Sequence, residues 1–539
     1  MIASRRRAMF SRFERFKTRS AVICRRGMVA TSQPVAAVAG LRVLMEGGNA
    51  VDAAIATAAV LSVVEPMSIG PGGDMFAIVY LSKTRELVGM NASGRAPKAL
   101  TREELVKRGY ERVPDYGMIP VTVPGAVDGW IMLLERFGTM PLSEVLEPAI
   151  RYAEEGFAVT PQIALSWASA LDKLSRHPNT AKHYLIDGRA PRPGELFRQP
   201  HLAETLRLIA EGGREPFYEG EIAEEIVRFS ERNGGYLTIE DFKNHRSEWV
   251  EPVGVSYRGY TLYELPPNCQ GITAQIALNI VEGFDLKSLG HNSPEYLHLL
   301  IEAIKLAFAD RDEYVADPDF ADIPVDHLLS KRYAEERRRL IDPRRAGEAI
   351  PGRPGGEDTA YLCVVDSEGN AVSFIGSLFH GFGSGMVGGD TGVLLQNRGA
   401  CFTLREGHPN ALEPGKRPMH TIIPAMLFWE GRPVVVFGVM GGDMQPQGHL
   451  QLVCNLVDFD MNVQDAVDSP RFRYLGGMRV ALEEGISPEV AEELAGMGHE
   501  IVEPKGIFFG GGQAIFIDPE TGSLHGGSDH RRNGCAVGY

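Results

Sequence analysis

Residues Gly47 to Pro66 narrow the folds open to this chain more than any other stretch. Asn49 offers a side-chain oxygen to cap a helix, and Pro66 stops it. Between them alanine dominates, and the residues are small and apolar nearly all round. A helix with no polar face must be buried, and one this slim lets its neighbours approach closely. The tight turn Ile69-Gly70-Pro71-Gly72-Gly73-Asp74 follows. Next comes an apolar run, Met75 to Leu81, that reads as a buried strand.

From about Gly125 to Tyr333 helical patterns prevail. Ser293 caps one helix, Pro294 opens it, and Leu297, Leu300, Ile301, Ile304 and Phe308 give its apolar stripe. After Thr359 the texture turns to β. Thr359 to Asp366 and Ala371 to Ile375 read as a hairpin across Ser367-Glu368-Gly369-Asn370. Further strands are expected at Val434–Phe437, Arg479–Leu482 and Ala514–Ile517, with helices at about His449–Phe459 and Pro488–Ala495. The mixture predicts helices packed over sheets, with both halves of the chain contributing to one core.

Composition excludes several functions. The formal net charge is −15, whereas nucleic-acid binding needs a basic surface. No apolar stretch reaches the roughly 18–20 residues of a membrane span. Arginines crowd the first 18 residues, but no apolar signal sequence follows, so residues 1–18 read as a solvated basic extension. Six cysteines are too sparse for a disulfide framework and lack metal spacing, and a reduced cytoplasm is the expected compartment. Gly383 to Gly388 matches G-x-G-x-x-G, but a turn follows where a dinucleotide site needs a helix.

One junction points to chemistry. Gly355-Gly356-Glu357-Asp358 runs straight into Thr359 at the head of the predicted strand, behind a Pro/Gly/Arg-rich stretch over 343–358. A threonine hydroxyl is a poor nucleophile until a chain cut frees an α-amino group on the same residue to serve as its base. Asp358-Thr359 therefore reads either as an ordinary polar turn or as a latent N-terminal nucleophile.

Four segments together favour the second reading: Gly47 to Gly73, Asn91 to Pro97, Thr359 to Phe402, and Pro414-Gly415-Lys416-Arg417-Pro418 followed by Gly438 to Gly442. In this order and spacing they resemble the γ-glutamyltransferase family of N-terminal nucleophile hydrolases, from about Arg19 to the end of the chain. The resemblance implies an α+β fold, a four-layer αββα sandwich. It also implies a proenzyme that cuts itself between Asp358 and Thr359. Residues 19–358 would form a large subunit and 359–539 a small one, as a heterodimer within one structural domain, with a dimer of heterodimers as a further possibility. By resemblance Thr359 is the nucleophile and Ser377 supports it with its hydroxyl. Gly441 and Gly442 supply the oxyanion-hole N–H groups, and Arg95 clamps a substrate carboxylate. His420 and Thr421 stand where the family has a serine pair that contacts substrate. No metal or organic cofactor is implied; the partner is a small-molecule amide.

The chain departs from the family where the α-amino group of a γ-glutamyl substrate is held. Phe379, Arg398 and Cys401 occupy positions that usually carry asparagine, glutamine and aspartate. Thr403 to Glu413 is also shorter than the stretch that bears a lid in many members. Three functions follow as expectations. The first is hydrolysis, with transpeptidation, of γ-glutamyl amides such as glutathione. The second is an amidohydrolase or acylase for a carboxylate-bearing amide without a free α-amino group, an oxamate-like or dicarboxylic acyl amide. The third is an uncleaved binding protein.

Overall fold

The buried helix forms over Ala50–Val64, and all fifteen residues are buried. Its start is a capping box: Asn49 Oδ1 accepts from the N–H of Val51 (2.8 Å) and Asp52 (3.1 Å), and Asp52 Oδ2 accepts from the Asn49 N–H (2.9 Å). Helix Pro34–Met45 crosses it closely. A Cβ added at Gly40 would lie 2.1 Å from Thr57 Oγ1 and 3.0 Å from the Ala53 carbonyl oxygen. Gly40→Val is expected to lower stability by about 3 kcal/mol, the upper end of overpacking costs. Thr57→Ala added to it should restore part of that. Thermal melts of the two variants check both statements.

The computed structural model describes residues 18–348, 358–506 and 508–539. Most of the basic extension and most of the Pro/Gly-rich stretch before Thr359 therefore lie outside the described residues. Two seven-stranded sheets dominate. The first runs in the spatial order Cys535–Gly538, Met28–Thr31, Asp358–Val365, Ala371–Phe379, Asp74–Leu81, Glu86–Ala92, Glu248–Val250. The second runs Val22–Cys24, Leu524–Ser528, Gly511–Ile517, Arg432–Met440, Ala425–Trp429, Tyr260–Glu264, Val253–Tyr257. All pairings within both are antiparallel.

Side-chain alternation separates three apolar layers. Ala360, Leu362 and Val364 point outward to the helices Pro34–Met45 and Ala50–Val64. Tyr361, Cys363 and Val365 point inward, with Phe76, Ile375, Met426, Val436 and Met440, to fill the space between the sheets. Val435, Phe437 and Val439 face the helices Gly271–Val281, Pro294–Tyr314 and Met444–Val457 on the far side. Helix, sheet, sheet, helix is the α+β sandwich that the family resemblance implied.

Two expectations need correction. The helical middle of the chain also supplies five strands: Glu248–Val250 at the rim of the first sheet, Tyr260–Glu264 and then Val253–Tyr257 at the end of the second, and the two-residue pair Phe157–Ala158 and Leu196–Phe197. They are short and half-exposed, and so lack a buried strand's apolar run. Arg479–Leu482 forms the strand expected of it, in a separate three-stranded sheet with Phe472–Gly476 and Glu500–Val502. The helix expected at about His449 starts five residues earlier, at Met444, directly after the Gly441-Gly442 turn.

Candidate active site

Thr359 is the second residue of a strand held between Met28–Thr31 and Ala371–Phe379. Its side chain is on the inward face, 1% exposed, and its Oγ1 donates to Ser377 Oγ at 3.3 Å. The register slips here: Asp358 pairs with Phe379 but Ala360 with Gly376, which leaves an extra residue on the partner strand. Phe379 takes that turn with φ at +79°, strained for a bulky residue, and its N–H donates to Ser377 Oγ (2.8 Å). Backbone strain of order 1–3 kcal/mol survives where the surroundings enforce it, often at functional sites.

Across the inter-sheet layer, a Cβ on Gly438 would lie 2.4 Å from the ring of Tyr361, and Ser373 Oγ donates to the Phe437 carbonyl (3.4 Å). Followed in the same direction, the two facing strands bring Thr359 and the Gly441-Gly442 turn to one edge of the sandwich. Gly441 and Gly442 both have positive φ, +123° and +58°. The Gly441 carbonyl accepts from the Met444 N–H (2.9 Å), so the N–H of the shared peptide, that of Gly442, points the opposite way.

A cavity of about 1010 Å³ opens beside this edge. Its walls include Tyr110, Arg112, Asp115, Tyr116 and Arg176 on one side, and Phe379, His380, Cys401, Met419, Thr421 and Asp443 on the other. None of residues 403–413 lines it.

Arg398 lies just behind the second wall. It is fully buried, and its guanidinium touches three lining residues: Nη1 donates to Thr421 Oγ1 (2.8 Å) and lies 3.8 Å from Cys401 Sγ, and the cation sits 4.3 Å over the Phe379 ring. Its Nε and Nη2 have no hydrogen-bond partner, and no carboxylate forms an ion pair with it among the described residues. Burial pulls its pKa below the usual arginine value. An unpaired buried cation costs several kcal/mol in the absence of a counter-ion.

His420 faces inward against Phe76 and donates from Nε2 to Asp74 Oδ2 (3.0 Å). Asp74 Oδ1 meanwhile takes the Gly94 N–H (2.9 Å) and Gln396 Nε2 (2.9 Å). Burial, and then the Arg398 charge, push the His420 pKa down to about 4. His420 is therefore neutral near pH 7. An unfolded histidine titrates near 6.5, so this site contributes stability above that pH and loses it as pH falls through about 4. His420→Gln is expected to flatten the stability–pH curve between 6.5 and 4, by roughly 3 kcal/mol. Denaturant melts across that window test it.

The structure thus brings Thr359 to Ser377, sets the Gly441-Gly442 turn at the same edge, and gathers Arg398 with Thr421 and Phe379. Arg95 does not join them. Its guanidinium pairs with Asp319 (2.7 Å), Asp317 (3.1 Å) and Glu248 (3.2 Å), and it does not line the cavity. Three carboxylates engage its donors, so a substrate carboxylate clamped by Arg95 would have to displace one of them.

Four residues escaped sequence reasoning. Asp74 is the hub under His420. Asp443 lines the cavity and is held by Arg311 (2.7 Å), which also reaches Gln270 (2.9 Å). Asp443 could have been found, since it directly follows the glycine pair. Gln270 and Arg311 lie 171 or more and 130 or more residues from that pair, too far apart for any local pattern.

The family profile described as Gamma-glutamyltranspeptidase matches residues 36–539. A glutathione hydrolase-like YwrD proenzyme of Bacillus subtilis is 44% identical over 529 residues, covering 96% of this chain and 99% of the relative. An acylase ACY 1 proenzyme of Pseudomonas sp. strain SE83 is 38% identical over 523 residues, covering 95% and 93%. Among solved structures, a cephalosporin acylase from Bacillus halodurans superposes with a TM-score of 0.92 at 47% identity, covering 98% of each chain. The sandwich is that of the N-terminal nucleophile hydrolases. The chain belongs to the gamma-glutamyltranspeptidase family and is one of its enzymes. Among the described residues no helix is long and apolar enough to cross a membrane.

Proposed function

We propose that this enzyme cuts itself between Asp358 and Thr359 and then hydrolyses amides whose acyl part carries a carboxylate and no free α-amino group. The observation that carries the substrate reading is Arg398: a buried guanidinium with two unpaired nitrogens, behind the wall formed by Phe379, Cys401 and Thr421. A substrate ammonium would be repelled there, whereas a carboxylate supplies the missing counter-ion. The acylase names of two relatives support the same reading.

The chemistry follows from the positions. In the precursor, Thr359 Oγ attacks the Asp358 carbonyl, the peptide C–N bond breaks, and water releases the ester, leaving a free amine on Thr359. In the mature enzyme that amine, with an ordinary pKa of about 7.7–8.0, takes the hydroxyl proton as Oγ attacks the substrate amide. The Gly441 and Gly442 N–H groups receive the oxyanion. The proton passes to the departing nitrogen, and water then resolves the acyl-Thr359 ester to acid and free enzyme. The two pieces stay together as a heterodimer because their strands alternate within both sheets. The reduced cytoplasm is the compartment we assign, in keeping with six cysteines that are all free thiols.

A second reading, hydrolysis of γ-glutamyl amides, draws on one observation: the Asp443 carboxylate on the cavity wall, where an α-ammonium could meet it. The glutathione hydrolase-like name of the B. subtilis relative supports it too. Mass spectrometry under denaturing conditions tests the cut; a small chain beginning at Thr359 is expected. Turnover of matched anilides, one dicarboxylic monoacyl and one γ-glutamyl, then separates the two readings. Faster turnover of the γ-glutamyl anilide would overturn the first.

A further inference from the structure

We infer that Gln270 and Arg311 are positioning residues that hold the Gly441-Gly442 turn in its oxyanion-binding conformation; this rests on the reading of Thr359 as nucleophile. Gln270 stands at the residue before helix Gly271–Val281, its side chain free of any capping bond, and Arg311 projects from helix Pro294–Tyr314. Both are buried. Arg311 Nη1 donates to Gln270 Oε1 (2.9 Å) and to Asp443 Oδ1 (2.7 Å). That bond fixes the Gln270 amide with its nitrogen turned toward the site. Gln270 Nε2 then donates to the carbonyl oxygens of Gly442 (3.2 Å) and Thr421 (2.6 Å).

The arrangement answers a specific weakness. Two successive glycines with positive φ can flip their shared and flanking peptides at little cost, since neither has a Cβ to resist. A flip would replace an inward N–H by a carbonyl oxygen and abolish the site for an oxyanion. The Met444 N–H restrains the peptide before Gly442, which carries the Gly442 N–H; the carbonyl after it is held jointly by the Gln445 N–H (3.1 Å) and Gln270 Nε2, which anchors Gly442 from its other side. Arg311 ties the adjoining Asp443 side chain to the same strut. Through Thr421 the strut also reaches the group that supports Arg398. The oxyanion turn and the acyl wall are thereby braced from one amide.

Gln270→Leu removes the donor at nearly constant volume. In the correctly cleaved variant kcat is expected to fall about 100-fold with KM within twofold of wild type, because an oxyanion contact is made in the transition state and not in the ground state. A kcat within threefold of wild type, or a loss confined to KM, overturns the inference. Arg311→Lys keeps the charge opposite Asp443 but loses the fork that orients Gln270, and should give an intermediate loss. It decides the question in the same way if Gln270→Leu does not fold. Deuterium exchange supplies a readout that needs no substrate. The peptide 438–446 should exchange at least tenfold faster in either variant, and unchanged exchange also overturns the inference. Failure of the nucleophile reading would instead show as an uncut or inactive wild type, with the exchange difference still measurable.

Discussion

Thr359→Ala is expected to remain one chain of about 58.9 kDa on a denaturing gel, where the wild type should give fragments 1–358 and 359–539. Its amide hydrolysis should fall by at least about 10⁴-fold, the scale on which nucleophile deletions act. Both losses have one cause. The hydroxyl that would open the Asp358–Thr359 bond is the hydroxyl that would attack substrate, and without the cut the residue's nitrogen is an amide with no basic lone pair. Thr359→Ser keeps the oxygen and should still be cut, more slowly. Thr359→Ala that is cut as fast as wild type would remove Thr359 from the first step. Ser377, 3.3 Å away, would then be the next candidate.

Arg398→Gln should act in opposite directions on activity and stability. Toward an anilide with an acyl carboxylate, kcat/KM is expected to fall about 10³-fold, the cost of leaving a buried anion without its cation. The ligand-free protein should become more stable by roughly 1–4 kcal/mol, because an unpaired buried charge has been removed. That reciprocal pattern identifies a residue kept for binding rather than for folding. Adding Cys401→Asp to Arg398→Gln restores an acidic residue and removes the repulsion facing an ammonium. The double variant should turn over a γ-glutamyl anilide faster than wild type. If both variants leave both substrates unchanged, Arg398 is a structural cation and the carboxylate reading fails.

Much of this was legible in one dimension, for definable reasons. The Ala50–Val64 helix carries its own cap, its own stop and a composition that forces burial, so nothing distant was needed to place it. The Asp358–Val365 strand was visible because it is apolar on both faces, as a central strand must be. Strands that lie at a rim, such as Val253–Tyr257, bury one face and lose that signature. Site residues divide in the same way. Thr359, Gly441 and Gly442 stand in compact motifs. Arg95 stands in one as well, yet the carboxylates that claim its guanidinium come from Glu248, Asp317 and Asp319, and no local pattern reports them. Arg398 could be read as a departure from the family pattern, but that no carboxylate among the described residues pairs with it directly, Asp74 acting only from a distance, is a three-dimensional fact.

The order of strands in the two sheets has a consequence for the life of the mature enzyme. Asp358–Val365 lies between Met28–Thr31 and Ala371–Phe379, and Arg432–Met440 and Ala425–Trp429 continue outward to Tyr260–Glu264. Neither fragment owns a complete sheet. The uncut chain folds with all fourteen strands tethered, whereas two separated fragments would have to meet as strangers, each exposing unpaired strand edges that invite aggregation. Self-cleavage before Thr359 would therefore act as a ratchet. It would arm the enzyme once, and unfolding afterwards would discard the covalent memory needed to fold again.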